Sequence, residues 1–429
     1  MKISDKKPDC RIVMIFIILT LIFATPLYWL GTSRDNITFS EVENRNLDDF
    51  PVFGLSRIKT AVKHILLGNI RSAYQTVFSD FTNNEFQSDF EMAAADYFPL
   101  RLSFISLARW IERSQIKAVY SFLPDPAFPA SLNDNTYLMR DEPVYIQPPL
   151  SWNGEFKEIV DQRIVNYQNL IDQFPEIHFY VFYLERMAFA PYNPMSDYYS
   201  SADNGQSFNY FLTHKPDELI VSSMRLTDLE EHKEKFFWTD HHWNIRGAWN
   251  AYEIIYDMLS DFTPDLSPML DLDGFVEIEG VEYCGSYARR TLYPCTPEKF
   301  EYASVKLPEY KTIIDGEETE YGEASQYLAG NFSLERYTNH YAKFFGYVTP
   351  LVDYQFENES DRNLLIISGS YTQAMQVYVA SHYRRTLVVD LREYQDFSLS
   401  HFIEQYNIDD VLILGDVIVY RREGWQINP

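Results

Sequence analysis

The chain has 429 residues, enough at about 150 residues per domain for two or three domains and a full core. Hydrophobic residues make up 46% and charged residues 23%, which excludes a disordered, collagenous or low-complexity chain. The net charge of −26 argues against nucleic acid as the main partner, because phosphate binding needs a basic face, and against broad docking on an anionic membrane surface. The chain carries 32 Tyr, 31 Phe and 7 Trp; such rings suit sugar faces, and they fill cores just as well.

Lys2, Lys6, Lys7 and Arg11 precede an uncharged run, residues 12–30, reading IVMIFIILTLIFATPLYWL. At about 1.5 Å per residue this run reaches roughly 28 Å, close to a hydrocarbon core of ~30 Å. Tyr28 and Trp29 sit where an interfacial belt forms, and basic residues before the run place the N-terminus inside. The reading is a short cytoplasmic tail (1–11) and a single-pass signal anchor in the lipid bilayer (12–30), with the bulk of the chain extracytoplasmic. A cleaved signal peptide is the rival, but the run is long for one and ends without a small-x-small site. Cys284 and Cys295 either form a disulfide, which that compartment permits, or stay as free buried thiols. No Cys/His spacing suits a structural zinc site.

Residues 31–55 read as a linker, and 56–115 as mostly helical, giving a largely helical membrane-proximal region over 31–150. Prolines at 124, 126, 129, 143, 148 and 149 predict turns and short strands at its end. From 151 helices and strands alternate. Phe156, Val160, Ile164, Tyr167 and Ile171 mark one helical face, ended by Pro175. Ile177–Glu185 reads as a strand, and 219–223 as a short one. Asn244 predicts a cap for a helix carrying Ala248, Trp249, Tyr252, Ile255 and Leu259. Residues 265–360 are acidic and aperiodic and read as an insertion. Leu364–Ser368, Thr386–Leu391 and Val411–Leu414 are apolar strands separated by helices, which implies parallel pairing with right-handed crossovers.

Two spots can carry chemistry. In Asp240-His241-His242-Trp243, residues two apart point the same way if the segment is extended, so Asp240 can orient His242 while His241 faces elsewhere. A carboxylate holding an imidazole is the base half of a nucleophilic triad, although a hydrogen-bonded structural histidine gives the same pattern. Asp-His-His also occurs as a metal-ligand motif, but no further aspartates stand at ligand spacing, and neither metal nor cofactor is expected. The second spot is Ser368-Gly369-Ser370-Tyr371, at the carboxyl end of a strand, where sites form in open parallel sheets. There Ser370 serves as a nucleophile or simply as a helix cap. Arg392 ends a strand expected beside Ser370; its guanidinium suits an acyl oxygen or sugar carboxylate, or a plain ion pair. Trp243 and Tyr371 either stack on a sugar or pack the core.

The chain resembles the DHHW family, through the tetrapeptide at 240–243, and the SGNH-hydrolase-like proteins of alginate O-acetylation. Further shared features are Glu43-Asn44-Arg45-x-Leu47, Phe90-Glu91, Asp96-x-Phe98-Pro99-x-Arg101, Gly285-Ser286-Tyr287-Ala288-Arg289 and Val389-Asp390-Leu391-Arg392. The resemblance implies an α/β, SGNH-hydrolase-like (flavodoxin-like) parallel sheet with helices on both faces over 151–429, following the N-terminal transmembrane anchor and interrupted by the large insertion. It also implies Asp240 as orienting acid, His242 as base and Ser370 as nucleophile. The expected function is O-acyl transfer or ester hydrolysis on a cell-surface polysaccharide, with a membrane-bound O-acyltransferase as acyl-supplying partner. One departure stands out: the family's Gly-Asp-Ser is Ser368-Gly369-Ser370 here. The alternative is a non-catalytic envelope protein that binds glycan or scaffolds partners through a degenerate site.

Overall fold

A computed structural model describes residues 39–40, 45–47, 85–96, 101–123, 129–132, 135–140, 144–263, 265–394, 396–421 and 427. The expected tail and anchor at 1–30 lie outside them. Among the described residues no helix is long and apolar enough to cross a membrane. They fall into two compact units that divide between Ser114 and Gln115. The first holds the helix Glu85–Asp96 and the start of the helix Arg101–Tyr120, with Asp96 and Arg101 ion-paired at 3.7 Å.

The second unit is built on one sheet. Its strands are β1 His178–Leu184, β2 Ile220–Met224, β3 Tyr310–Ile314, β4 Glu317–Glu318, β5 Leu351–Phe356, β6 Asn363–Ser368, β7 Arg385–Val389 and β8 Asp410–Gly415. They lie in the order β4-β3-β5-β7-β6-β8-β1-β2. The five strands from β7 to β2 are parallel. Counted from the strand that leads to Ser370, their order is 2-1-3-4-5, the flavodoxin-like order, entered here at its fourth strand. The stretch 265–356 adds β3, β4 and β5 antiparallel at one edge, and a separate ribbon of Leu272–Glu277 with Glu301–Val305.

A central parallel strand is apolar on both faces because helices cover both. On one face Tyr180, Phe182, Leu364, Ile366, Leu412 and Leu414 meet Trp249, Tyr252 and Ile255. These three lie on a helix, Ile245–Ser260, capped by Asn244, which accepts from the Arg246 and Gly247 amides. On the other face Phe179, Val181, Leu365, Ile367, Val411 and Ile413 meet Val160, Tyr167 and Leu170 of the helix Gly154–Gln173 and Leu399 and Phe402 of Leu399–Tyr406. Each such side chain, fully buried, stabilises the fold by about 1.5–3 kcal/mol before entropy is counted. The α/β expectation thus holds, with helices on both faces. The helices Gln206–His214 and Leu229–Lys235 are additions to the sequence reading; both are short, with little room for a helical period to show.

Candidate active site

Parallel strands bring their carboxyl ends to one rim. β6 delivers Gly369 and Ser370, β7 delivers Asp390 and Arg392, β8 delivers Asp416, and β1 delivers Arg186. β2 is followed by the segment that returns through Trp238 to Trp243. Ser370 opens a 3₁₀ turn, Ser370–Ala374, continued by the helix Gln376–Ala380.

Ser370 Oγ lies 2.7 Å from His242 Nε2, and His242 Nδ1 lies 2.9 Å from Asp240 Oδ1. Residues 128 positions apart in the chain thus meet within hydrogen-bond reach. The Ser370 hydroxyl engages the imidazole rather than serving as a cap. Ser368, buried, instead bonds Thr372 Oγ1 at 2.6 Å.

The 240–243 segment departs from the extended form that its sequence suggests. The His242 amide donates to Asp240 Oδ1 at 3.1 Å, an Asx turn that competes with extended pairing. His241 therefore does not face away: its ring packs against His242, centroids 3.8 Å apart, and its Nδ1 lies 2.7 Å from Ser286 Oγ and 3.0 Å from Asp240 Oδ1. Tyr341 also stacks on His242, its ring centroid 4.2 Å away and its plane tilted by only 12°. The catalytic-base candidate is thus held by aromatic neighbours.

Asp240 is 3% exposed and richly supplied with donors. Tyr283 Oη donates to Oδ2 at 2.7 Å, the Ser286 amide at 2.6 Å, and Ser286 Oγ to Oδ1 at 3.0 Å. Burial works against the charge, yet the facing His242 and His241 and their hydrogen bonds hold this carboxyl well below the usual range. Burial and the neighbouring His242 push His241 down to about 4, against the pull of Asp240, so it is neutral at pH 7. The close approach of the 283–286 segment requires glycine at 285, where a Cβ would fall 2.3 Å from Asp240 Cβ.

Beneath this lies a support that the sequence did not reveal. Glu298 accepts from the Trp238 amide at 2.7 Å, the Thr239 amide at 2.8 Å and the Thr239 hydroxyl at 2.6 Å. Thr239 Oγ1 in turn accepts from the Gly285 amide at 2.8 Å. Burial pushes Glu298 up to about 7 despite these donors. Cys284 and Cys295 are joined by a disulfide. The motif Gly285-Ser286-Tyr287-Ala288-Arg289 was the one sequence signal for this half of the site.

The remaining expected residues lie near by in other roles. Trp243 is fully buried and Tyr371 is 6% exposed; Tyr371 Oη donates to the His241 carbonyl at 3.0 Å. Both pack against the histidines and offer no face to a sugar, so of the two readings of these rings core packing is the one the structure shows. Arg392 Nε donates to Asp390 Oδ1 at 2.9 Å and Nη2 to Oδ2 at 2.5 Å. It also borders the serine turn: a Cβ on Gly369 would lie 3.3 Å from Nη2. The donor atoms of Asp240, His241 and His242 lie within 4.8 Å of one another, close enough for a cation. Here each atom that faces the others is already engaged in the hydrogen bonds given above.

No family model matches the chain, and no curated protein matches it. Among solved structures, PatB1 from Bacillus cereus with a sulfonyl adduct superimposes with a TM-score of 0.54 at 16% identity, over 68% of this chain and 99% of that one. A DHHW family protein from Eubacterium siraeum aligns over 70% of this chain and 97% of its own, with TM-score 0.48 and 17% identity. The O-acetyltransferase domain of Pseudomonas putida AlgJ aligns over 70% and 95%, with TM-score 0.37 and 11% identity. The chain is thus an α/β protein sharing the fold of PatB1.

Proposed function

We propose that this chain is an O-acyltransferase or esterase of a cell-surface polysaccharide that works through a Ser370-His242-Asp240 triad without a cofactor. The observation that carries the reading is the unbroken line of contacts from Asp240 through His242 to Ser370 Oγ. As Oγ attacks an ester carbonyl, its proton passes to His242 Nε2. Asp240, ionised and fixed by donors from 283–286, stabilises the imidazolium through Nδ1–H. Backbone amides at the start of the turn after β6 would hold the developing oxyanion. Collapse of the intermediate returns the proton from Nε2 to the departing alcohol and leaves Ser370 acylated. A sugar hydroxyl or water then repeats the steps in reverse order. Residues 12–30 would anchor the chain with this domain outside the cytoplasm, beside a membrane-bound O-acyltransferase that supplies acyl groups.

The test is covalent. The purified chain is treated with an aryl acetate or a sulfonyl fluoride, and the adduct is mapped by peptide mass. A single adduct on Ser370, absent in Ser370→Ala and at least about a hundredfold slower in His242→Ala, is the expected result. An intact chain that leaves Ser370 unmodified would return the fold to the binding role.

A further inference from the structure

On the Gly369 and Gln373 side of the serine turn the space is small. The cavity lined by Gly369, Gln373, Tyr321 and Asp390 has a volume of about 20 Å³, room for a single water and not for a sugar ring. Gln373 and Tyr321 also line a far larger cleft of about 620 Å³, within the 300–1,000 Å³ typical of ligand sites. Gln373 and Ala374 of the turn that Ser370 opens line one side of it, with Val377 and Tyr378 of the helix that follows. Its outer walls come from the inserted stretch.

The walls are aromatic with polar groups interleaved. Tyr310 is 42% exposed; its ring stacks on Phe356 at 4.8 Å and 21°, so it is fixed in place with one face left over. Tyr302 and Tyr321 are half-buried, and Tyr302 is backed by Phe344 at 6.0 Å. Such rings, rigid and open on one side, match the apolar faces of pyranoses, while Thr319, Gln373 and the Lys311–Glu318 pair at 3.2 Å can meet hydroxyls. A purely apolar guest would leave these polar groups without water or partners. The charged lining residues are Lys311, Glu318 and Glu320, one cation against two anions, which disfavours an anionic polymer. Tyr310 and Lys311 also border a second cleft of about 650 Å³ that reaches the amino ends of β6 and β7.

We propose that the cleft between β3 and the turn after Ser370 is a subsite for a neutral glycan chain. It deepens the proposed function by assigning the polymer's grip to the insertion, and rests on that reading only for the chemistry at Ser370. Binding is tested apart from turnover, in full-length Ser370→Ala, by calorimetric titration with a neutral glucan hexasaccharide, an N-acetylglucosamine hexamer, a uronic-acid hexasaccharide and a medium-chain fatty acid. At least one neutral oligomer should bind saturably. Tyr310→Ala and Tyr302→Ala should each weaken it about five- to twentyfold, with melting temperatures held near the parent's. Tyr198→Ala, an exposed tyrosine outside the cleft, should leave it unchanged. No saturable binding of either neutral oligomer, equal binding by both cleft variants and the parent, or tighter binding of the uronate or the fatty acid would overturn the proposal. Failure of adduct formation at Ser370 would instead sink the chemistry and leave a measured glycan affinity standing.

Discussion

At position 369 a glycine stands where the resembled family carries an aspartate, yet the backbone there is ordinary. Gly369 has φ −110° and ψ −156°, a conformation open to any residue. The space on its Cβ side is bounded by the Arg392 guanidinium, 3.3 Å from where a Cβ would sit. That guanidinium is already bound twice by Asp390. The turn therefore keeps its shape without the aspartate, and an aspartate restored there would share Arg392 rather than disturb Ser370. Gly369→Asp should fold with a melting temperature within about 3 °C of the parent, since partly exposed ion pairs contribute only ~0–1 kcal/mol. Its rate of adduct formation at Ser370 should stay within about tenfold. A loss beyond about a hundredfold would show instead that an unshared Arg392–Asp390 pair is needed for the chemistry.

At the scale of elements, the parallel strands and the pairing of His242 with Ser370 were legible because apolar strand runs and a serine turn directly after one of them are local signals, and topology then sends carboxyl ends to one rim. Apart from the Gly285–Arg289 motif that holds Ser286, the cradle around Asp240 was not legible. Tyr283, Ser286, Thr239 and Glu298 come from stretches with no clear period, and what matters there is hydrogen bonding across a sequence gap of 43 to 60 positions. The Asx turn at 240–242 was missed for a related reason: a side chain bonding its own backbone overrides the strand pattern. The disulfide lies where this cradle begins, one residue before Gly285. Closing a loop of about a dozen residues stabilises by about 2–3 kcal/mol on the chain-entropy account. Cys284→Ser with Cys295→Ser should therefore lower the unfolding free energy by about that amount. It should also slow Ser370 acylation by more than about tenfold, because Asp240 loses the fixed position of Ser286 and Tyr283. Equal acylation rates in a folded variant would show that Glu298 and Thr239 suffice to hold the cradle.

At the scale of the whole molecule, the buried titratable groups set how stability depends on pH. Burial pushes His232 down to about 3, and His241, His340 and His382 down to about 4. Unfolded, each titrates near about 6.5. The folded chain therefore binds fewer protons in this range, so the histidine contribution is whole above about 6.5 and is lost as pH falls towards about 4 and below. Glu185 and Glu298, pushed up to about 7 by burial, act in the opposite sense: their contribution is whole below about 4.5 and lost as pH rises through about 7. Relief of self-repulsion in a chain of net charge −26 also favours mild acid. Each tenfold change in a group's proton affinity on folding corresponds to about 1.4 kcal/mol, so four histidines against two glutamates leave a net loss on acidification. Urea midpoints measured at about pH 7, 5.5 and 4.5 should fall in that order. His340 bonds the Tyr327 hydroxyl at 2.7 Å through Nδ1, a contact that glutamine can keep without titrating. His340→Gln should flatten the fall between about pH 6.5 and 4.5 by roughly half, since the two glutamates offset part of what the four histidines lose, whatever it costs in absolute stability, because the slope counts protons and not contacts. A variant whose midpoints track the parent's across all three pH values would show that His340 is not among the groups that make this fold acid-labile.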